Sequence, residues 1–138
     1  MKEIESLFEA YKKAVFQKDV GAYASLFDEE VLIFDMWMEW SSNGLAVWRE
    51  MAKGWFGSLG TERVVVTFDE ISIQADGDLA AATAFVRFAA ISEKGEEIRY
   101  LQNRLTWVVR KKEGAWKIVH QHTSGPVDFA TMKVMLKR

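Results

Sequence analysis

The stretch Trp-Lys-Ile-Val-His-Gln-His-Thr-Ser-Gly-Pro at residues 116–126 decides how this chain folds. It contains both histidines of the sequence and its only proline. Strand-forming residues fill its first part, and proline cannot donate a backbone hydrogen bond to a neighbouring strand. The stretch therefore predicts a strand over residues 116–124 that ends abruptly at Gly125-Pro126.

Three further long strands precede this segment, at residues 63–74, 79–92 and 97–111. Short turns that contain glycine, such as Asp76-Gly77-Asp78, separate successive strands. Turns of this kind join neighbouring antiparallel strands. The second half of the chain is therefore predicted to form an antiparallel meander of four long strands.

The first half of the chain is mainly helical in pattern. Apolar residues recur at helical spacing over residues 2–17 and again over residues 45–59, where Gly60 ends the run. Asp19 can cap a shorter helix that reaches Phe27. Three helices are therefore predicted before the meander begins.

The remaining segments are shorter. Residues 31–37 are apolar and rich in strand formers, so they predict a buried strand, whereas residues 127–138 fit either an edge strand or a short helix. Helices segregated to one face of an antiparallel sheet make an α+β domain. Because long twisted sheets curl, we expect a single domain over residues 1–138, shaped as a cone with an interior cavity.

The composition is that of a globular chain without thiol chemistry. The 138 residues include 49% hydrophobic residues and carry a formal net charge of −2, which favours neither nucleic acid nor an anionic membrane as a partner. The sequence has no cysteine, which excludes disulfides, thiolate nucleophiles and cysteine-based zinc sites. Together with a charged start and no long apolar run, this predicts a cytoplasmic protein.

Alternation assigns an inner face to the strand at residues 97–111, because one side is apolar and the other is much more polar. The side expected to face the helices consists of Leu101, Asn103, Leu105, Trp107 and Val109. The strand at residues 79–92 is apolar on both sides. We expect the side with Phe85 and Arg87 to face the cavity, and the alanine-rich side to pack against a second subunit in a homodimer.

Two segments resemble the association domain of calcium/calmodulin-dependent kinase II. Residues 113–126, EGAWKIVHQHTSGP, resemble its ending "DGKW-x-x-VHFH-x-SG-x-P", and residues 84–88, AFVRF, resemble its strand "AYIRL". That domain belongs to the nuclear transport factor 2-like superfamily, which includes the SnoaL-like polyketide cyclases and the ketosteroid isomerases. The resemblance implies the cone-like fold of this superfamily, which hosts enzymes, binders and assembly modules alike.

The resemblance also implies candidate catalytic residues. Arg87 matches an arginine that points into the pocket of the association domain, while two further pocket arginines fall on Trp107 and Thr123. Asp35 lies near the position of the general base of the ketosteroid isomerases. Asp35 and Arg87 are either a structural ion pair, which would lower the pKa of Asp35, or a base beside a cation that holds the substrate.

A few polar side chains in an otherwise aromatic cavity are typical of small-molecule sites. We expect Asn103, Gln121 and Thr123 to be those polar side chains, although they can also form hydrogen bonds with one another or bind water. The tryptophans either line the cavity or fill the core. The predicted ligand-binding residues are Trp37, Trp48, Trp55, Phe85, Asn103, Trp107, Gln121 and Thr123.

The two histidines alternate with Gln121 and so are expected on the outer face of the sheet. A predicted subunit interface consists of Trp116, Ile118, His120 and His122. A shift of one residue would instead place the histidines in the pocket as acid–base groups. No third ligand accompanies them at a metal-binding spacing, so we expect neither a metal nor a cofactor.

These observations predict a protein that binds a small, partly apolar molecule. If it is an enzyme, cofactor-independent isomerisation, dehydration or cyclisation is expected, because one base and one hydrogen-bond donor suffice for such chemistry. The alternative is a non-catalytic association module with a vestigial pocket. Whether the protein is an enzyme stays open at this level.

Overall fold

The structure, a computed structural model, describes residues 2–138 and follows the predicted order of elements. The three helices come first, interrupted by two strands, and the long strands follow. The elements are α1 (Lys2–Gln17), α2 (Val20–Ala24), β1 (Phe27–Phe34), β2 (Ser42–Asn43), α3 (Leu45–Ser58), β3 (Arg63–Asp76), β4 (Leu79–Ile91), β5 (Glu97–Lys112), β6 (Ala115–Ser124), β7 (Val127–Asp128) and β8 (Lys133–Val134).

The helices form where capping and periodicity predict them. The α1 helix buries its apolar stripe, and Asp19 caps α2 by accepting a hydrogen bond from the Ala22 amide at 3.0 Å. Helix α3 begins after Gly44, whose φ of 92° is a left-handed conformation that glycine adopts without strain. The second helix is shorter than expected, because the chain enters β1 already at Phe27.

Six strands form one sheet in the order β2-β1-β6-β5-β4-β3. The β3–β4, β4–β5 and β5–β6 pairs are antiparallel, as the predicted meander requires. Strand β1 pairs with β6 in parallel, however, so the sheet is mixed. This parallel pair joins the first strand of the chain to the segment at residues 116–126 and brings the end of β1 beside Gln121 and Thr123.

The core lies between α1 and the inner face of the sheet. Trp107 on β5 is fully buried, and its ring stacks on Phe8 of α1 with centroids 4.4 Å apart. Ala82 is the cross-strand neighbour of Trp107 and is also fully buried. A methyl group at this position leaves room for the two large rings, which is why an alanine-rich strand can stand against an aromatic helix.

The inner face of β4 is the opposite of the one expected from the sequence. Ala80, Ala82, Ala84 and Val86 are buried against the helices, whereas Phe85 and Arg87 lie on the outer face. Directly paired residues of antiparallel strands share a face, and Ala82 pairs with Trp107. Because both faces of β4 are apolar, alternation along this strand alone does not decide between them.

A β-bulge divides β6 into two parts, and the alternation of inward-facing and outward-facing side chains is out of step between them. His120 pairs with Val108 and Ile118 pairs with Val109, so Val119 is an extra residue without an opposite partner. The bulge turns Ile118 inward together with Gln121. Ile118 is fully buried in the core as a result, which corrects its expected place on the outer face with the histidines.

The C-terminal residues form a hairpin and then run along β5. Strands β7 and β8 pair with each other, and the Gln102 amide donates to the Leu136 carbonyl at 2.7 Å. A Cβ atom on Gly125 would lie 2.8 Å from Cγ2 of Val134, so only glycine permits this close return of the chain. The edge-strand alternative for residues 127–138 is therefore closer to the structure than the helix.

None of the helices within residues 2–138 has the length and apolar character that crossing a bilayer requires.

Candidate functional site

A cavity of about 680 Å³ opens between the helices, the inner face of the sheet and the C-terminal segment. Its size is within the usual range for small-molecule sites, roughly 300–1,000 Å³. Most of its walls are apolar or aromatic. The residues that line it are Tyr11, Tyr23, Asp35, Trp37, Met38, Glu39, Ser42, Val47, Trp48, Met51, Trp55, Leu59, Val64, Phe88, Ala90, Arg99, Tyr100, Leu101, Asn103, Gln121, Thr123, Leu136 and Lys137.

Asp35 enters the cavity directly after β1 ends. Its Oδ1 accepts a hydrogen bond from Thr123 Oγ1 at 2.9 Å, and Thr123 Oγ1 in turn accepts one from the Met36 amide at 3.0 Å. Burial raises the pKa of Asp35 above its ordinary value, although the hydrogen bonds from Thr123 and from the backbone of Trp37 and Met36 oppose the increase. A carboxylate with a raised pKa is a stronger base than an ordinary one.

Two buried tyrosines share the cavity wall with this carboxylate. Tyr11 on α1 and Tyr23 on α2 both line the cavity, and their hydroxyl groups interact with each other. Burial raises the pKa of both phenols well above the ordinary value, and the charge of Asp35 raises both further. Both hydroxyls therefore stay protonated. Because Tyr23 acts as the donor towards Tyr11, the Tyr11 O–H is the one left to donate to an oxygen atom in the cavity.

Helical periodicity places these two tyrosines on the apolar faces of their helices and gives no indication that they belong to the site. Their ring positions obey the helical period, so the pattern treats them as core residues. The signal available in the sequence was the hydroxyl itself, since a buried tyrosine needs a partner for its O–H group where phenylalanine would not. Helical periodicity carries no information about where that hydroxyl points.

The inner face of β5 and β6 supplies three buried polar side chains, Asn103, Gln121 and Thr123. Oε1 of Gln121 accepts a hydrogen bond from the Trp107 indole Nε1 at 2.8 Å. This bond fixes the orientation of the amide, so the nitrogen of Gln121 is the group that it offers to the cavity. All three side chains line the cavity. Asn103 lies where strand alternation predicts it, and Gln121 and Thr123 lie where the resemblance implies.

Two polar atoms of the site are buried without a hydrogen-bond partner. They are Trp48 Nε1, a donor, and Asn103 Oδ1, an acceptor. The Trp48 indole N–H lies beside the Tyr23 hydroxyl and lowers the pKa of Tyr23 as a hydrogen-bond donor, although the contact lies outside ordinary hydrogen-bonding geometry. Nδ2 of Asn103 donates to Met36 Sδ at 3.5 Å, a weak bond that leaves its oxygen unpaired.

Six of the eight predicted ligand-binding residues line the cavity. They are Trp37, Trp48, Trp55, Asn103, Gln121 and Thr123. The other two do not reach it: Trp107 is buried behind Gln121 in the core, and Phe85 lies on the outer face beneath the guanidinium of Arg138, 4.1 Å from the ring centroid. The misplacement of Phe85 follows from the inverted face of β4.

Arg87 does not face the cavity either, and the expected pair with Asp35 is absent. Both of its guanidinium NH groups donate to the Glu97 carboxylate at 2.9 Å, and the guanidinium lies 4.0 Å from the centroid of the Tyr100 ring. Neither the structural ion pair, which would have lowered the pKa of Asp35, nor the base beside a cation is therefore formed with Arg87. Asp35 has no cationic hydrogen-bond partner among residues 2–138 and its pKa is raised.

The histidines lie on the outer side of the sheet, where alternation from Gln121 predicts them. His120 Nδ1 is 2.7 Å from the Leu32 carbonyl oxygen, and the Phe34 ring packs edge-on against both imidazoles. The bulge separates them from Trp116, which packs partly buried against the core. Trp116 and Ile118 therefore do not share the outer face with the histidines.

Cationic side chains are confined to the rim of the cavity. Arg99 lies there and is paired with Glu62 at 2.6 Å, while Nζ of Lys137 lies 4.5 Å from the centroid of the Tyr100 ring. Neither residue was predicted, because the C-terminal segment that brings Lys137 to the rim has no recognisable period. No group of three or more histidine or acidic side chains within residues 2–138 is arranged to hold a metal ion.

The fold is a cone in which three helices and a curved sheet enclose an aromatic cavity with polar side chains at its base. This architecture defines a class of proteins. A sequence model of the SnoaL-like domain matches residues 4–128, and the chain belongs to that family. A comparison with curated protein sequences gave no match.

Solved structures show the same fold. A nuclear transport factor 2-like protein of unknown function from Pseudomonas putida KT2440 is 24% identical, with a TM-score of 0.86 over 99% of this chain and 94% of that one. A protein from Xanthomonas campestris, provisionally assigned as a calcium/calmodulin-dependent protein kinase II association domain, is 20% identical, with a TM-score of 0.70 over 88% and 84% of the two chains. A provisionally assigned scytalone dehydratase from Novosphingobium aromaticivorans is 17% identical, with a TM-score of 0.77 over 90% and 82%. The resemblance to this superfamily is thereby confirmed.

Proposed function

We propose that the cavity binds a small, partly apolar molecule and that Asp35 acts on it as a general base without a cofactor. The observation that carries this proposal is the state of Asp35. Its carboxylate faces a largely apolar cavity, has no cationic hydrogen-bond partner among residues 2–138, and has a pKa raised by burial. A carboxyl group kept only for stability would normally be paired or exposed.

The surrounding groups suit proton transfer next to a carbonyl. Asp35 would remove a proton from the carbon atom adjacent to the carbonyl, and the electron pair of the C–H bond would move onto the carbonyl oxygen. Tyr11 would donate a hydrogen bond to that oxygen as its negative charge develops, with Tyr23 supporting Tyr11 as its donor. If Asp35 returns the proton to another carbon, the product is an isomer. If Asp35 returns the proton to a β-hydroxyl, that group leaves as water and the product is dehydrated.

Two further observations support this class of reaction. The hydrogen bond from Thr123 holds the Asp35 carboxylate in one orientation, which is what a positioned base requires. The cavity also has room for a substrate of drug-like size. Among the similar structures, a provisionally assigned dehydratase has the same fold, although the fold alone does not carry an activity.

Exchange of carbon-bound protons with deuterium tests the proposal without knowledge of the natural substrate. We would incubate 1-indanone and related cyclic ketones with the protein in D2O and follow loss of the α-proton signals by NMR. The wild type should accelerate the exchange, and Asp35→Asn should lose the acceleration by a factor on the order of 10² or more. Asp78→Asn, in the exposed β3–β4 turn, is the matched control and should behave as the wild type.

An NMR titration of the protein with the same ketones separates catalysis from binding. A ketone that perturbs the cavity resonances while its α-protons exchange no faster than in buffer would show that Asp35 does not act as a base on it. The protein would then be a binding domain. If no ketone or other ring compound perturbs those resonances, the proposal fails, and the association module with a vestigial pocket is the function that remains.

We propose in addition that the protein is a cytoplasmic homodimer that associates through the outer face of the sheet. Phe34 is partly exposed there beside His122, and Leu79 and Val65 also expose apolar surface on that side. Sedimentation should show a dimer, and His122→Asp should shift it towards the monomer by adding a desolvation cost to the interface. A monomeric wild type would refute the proposal.

A further inference from the structure

The cross-strand pair of Trp107 and Gln121 sets the polarity of the cavity floor. The two residues lie directly opposite each other on β5 and β6, so their side chains share the inner face of the sheet. The indole Nε1 of Trp107 donates to Oε1 of Gln121 at 2.8 Å. Because an indole N–H can only donate, the amide must present its oxygen to Trp107 and direct its NH2 group elsewhere.

Trp107 is held too firmly to turn away from this bond. It is fully buried, its ring stacks on Phe8 with centroids 4.4 Å apart, and the rings of Tyr11 and Phe68 lie 5.9 and 6.1 Å from it. Gln121 itself is only 2% exposed. If its amide turned over, two donors would face each other and the buried indole N–H would lose its acceptor. The orientation of the amide is therefore set by the core and not by the ligand.

The amide nitrogen of Gln121 is open to the cavity. It donates to no group within residues 2–138, yet it is not sealed from solvent as the unpaired atoms of Trp48 and Asn103 are. Because Gln121 lines the cavity, its free N–H groups face the space that a ligand would fill. Buried polar groups in proteins are nearly always hydrogen-bonded, so this donor requires a ligand atom or a water molecule as its partner.

The carboxylate of Asp35 lies further along the same strand. The hydroxyl of Thr123, which donates to Asp35 Oδ1 at 2.9 Å, follows Gln121 by two positions in a regular stretch of β6 and lies on the same face. Two residues of a strand span roughly 6.4–6.8 Å. A carbonyl compound can bridge a separation of this size, with its oxygen at the Gln121 amide and its α-carbon beside the carboxylate.

The charges around the cavity favour a neutral carbonyl compound over an anion. Asp35 lines the cavity and has no cationic hydrogen-bond partner within residues 2–138. The cations Arg99 and Lys137 lie at the rim, and Arg99 is already paired with Glu62. A carboxylate or phosphate beside Asp35 would meet a like charge without a buried counter-ion, which is strongly unfavourable.

We propose that the Gln121 amide N–H binds the carbonyl oxygen of the ligand, and that Trp107, which does not touch the ligand, is the positioning residue for this bond. A carbonyl oxygen has two lone pairs, so it can accept from Gln121 and from the Tyr11 hydroxyl together. The pair thus selects neutral carbonyl compounds over hydrocarbons of the same shape. This role rests on the proposed function only in that the cavity must bind a carbonyl compound, and it does not require Asp35 to act as a base.

Two probes of one shape test this selection. 1-Indanone and 1-methyleneindane share a ring system and differ in one exocyclic group, which is an oxygen atom in the first and CH2 in the second. Their affinities would be measured by ¹H–¹⁵N NMR titration of the full chain. We expect the wild type to bind the ketone about tenfold more tightly, as hydrogen bonds of ordinary net strength would produce. The side-chain NH2 signals of Gln121, assigned from their absence in Gln121→Leu, should shift further with the ketone than with the hydrocarbon.

The variants separate the donor from the residue that positions it. Gln121→Leu should reduce the ratio of the two affinities by about fivefold or more. Trp107→Phe should reduce it by about twofold or more, because an amide that is free to turn offers its nitrogen only part of the time. The double variant Trp107→Phe with Gln121→Leu should have the same ratio as Gln121→Leu, since Trp107 then has no amide to orient. A general packing defect would weaken both probes equally and leave the ratio unchanged.

Two further variants make the test robust. Trp40→Phe, at a residue that is 96% exposed, is the matched control and should keep the ratio of the wild type. If a single variant fails to fold, the double variant still gives the ratio without the amide, because it leaves neither a donor nor an acceptor of the pair unpaired.

Each outcome bears on a different part of the proposal. Equal affinity of the wild type for the two probes, or a tenfold ratio that survives in the double variant, would overturn the role of Gln121. A ratio that falls in Gln121→Leu but not in Trp107→Phe would overturn the positioning by Trp107. Binding of the ketone without faster exchange of its α-protons would refute Asp35 as the base but not this role, which the ratio decides by itself. If neither probe binds, both proposals fail.

Discussion

The hydrogen bond between Trp107 and Gln121 links the core to the floor of the cavity, and its loss should be measurable in two ways. We consider Trp107→Phe, which keeps a ring on Phe8 but removes the indole N–H. The Gln121 oxygen is then buried without a partner, which costs roughly 1–3 kcal/mol. Loss of packing around a fully buried ring adds about 1 kcal/mol, so the free energy of unfolding should fall by roughly 2–4 kcal/mol.

A double-mutant cycle isolates the hydrogen bond from the packing. Gln121→Leu alone should also destabilise, because it leaves the buried Trp107 N–H unpaired. The double variant Trp107→Phe with Gln121→Leu leaves neither a donor nor an acceptor unpaired. It should therefore be more stable, by about 1–3 kcal/mol, than the sum of the two single-variant effects predicts. Urea unfolding followed by far-UV circular dichroism would give these values, provided that the m-value stays constant.

The cycle has a clear refuting result. Additivity within about 0.5 kcal/mol would mean that the two side chains are not coupled in solution. The Gln121 amide would then not be fixed by Trp107, and its nitrogen would not be directed at the cavity. Trp40→Phe serves as the control because its ring is almost fully exposed and should change stability little.

Three further predictions concern the site and its walls. The pKa of Asp35 is higher in the folded protein than in the unfolded chain, so the free energy of unfolding of the wild type falls as pH rises from the unfolded-state pKa through the folded-state pKa. Asp35→Asn removes this loss. The variant should therefore be more stable than the wild type at pH 7 and lose this advantage in acid. If urea unfolding showed the same stability difference between Asp35→Asn and the wild type at pH 7 and in acid, the predicted pH dependence would be wrong. Arg87→Ala should leave the affinity of cavity ligands unchanged, since Arg87 pairs with Glu97 outside; a weakened NMR titration would contradict the assigned face. Leu136→Asp should weaken neutral ring ligands by about tenfold or more, because it places a charge in the cavity wall, and unchanged affinity would show that the C-terminal segment does not enclose the ligand.

Features that depend on local pattern were predictable from the sequence. The helical stripes, the capping aspartate and the glycine-containing turns placed all three helices and the four long strands, because each signal involves neighbours along the chain. The inner face of β5 was also predictable, since one side of that strand is polar and the other is not. From it followed the positions of Asn103 and, through the resemblance, of Gln121 and Thr123.

Features that depend on which strands pair, and in which register, were not predictable in this way. Both sides of β4 are apolar, so its inner face was settled only by the pairing of Ala82 with Trp107, and Arg87 went to the opposite side from the one expected. The bulge at Val119 reversed alternation within β6 and moved Ile118 into the core. A one-residue change of register exchanges every later side chain between the two faces.

The sequence by itself determined the order of elements, the helix faces and the polar character of the strand at residues 116–126. Only the tertiary structure decided that β6 stands parallel to β1, which brings Asp35 to Thr123, and that the tyrosines of α1 and α2 line the same cavity as this carboxylate. The physical reason is that helix and strand patterns reflect contacts between near neighbours, whereas an active cavity is made of side chains distant in sequence, whose directions depend on packing.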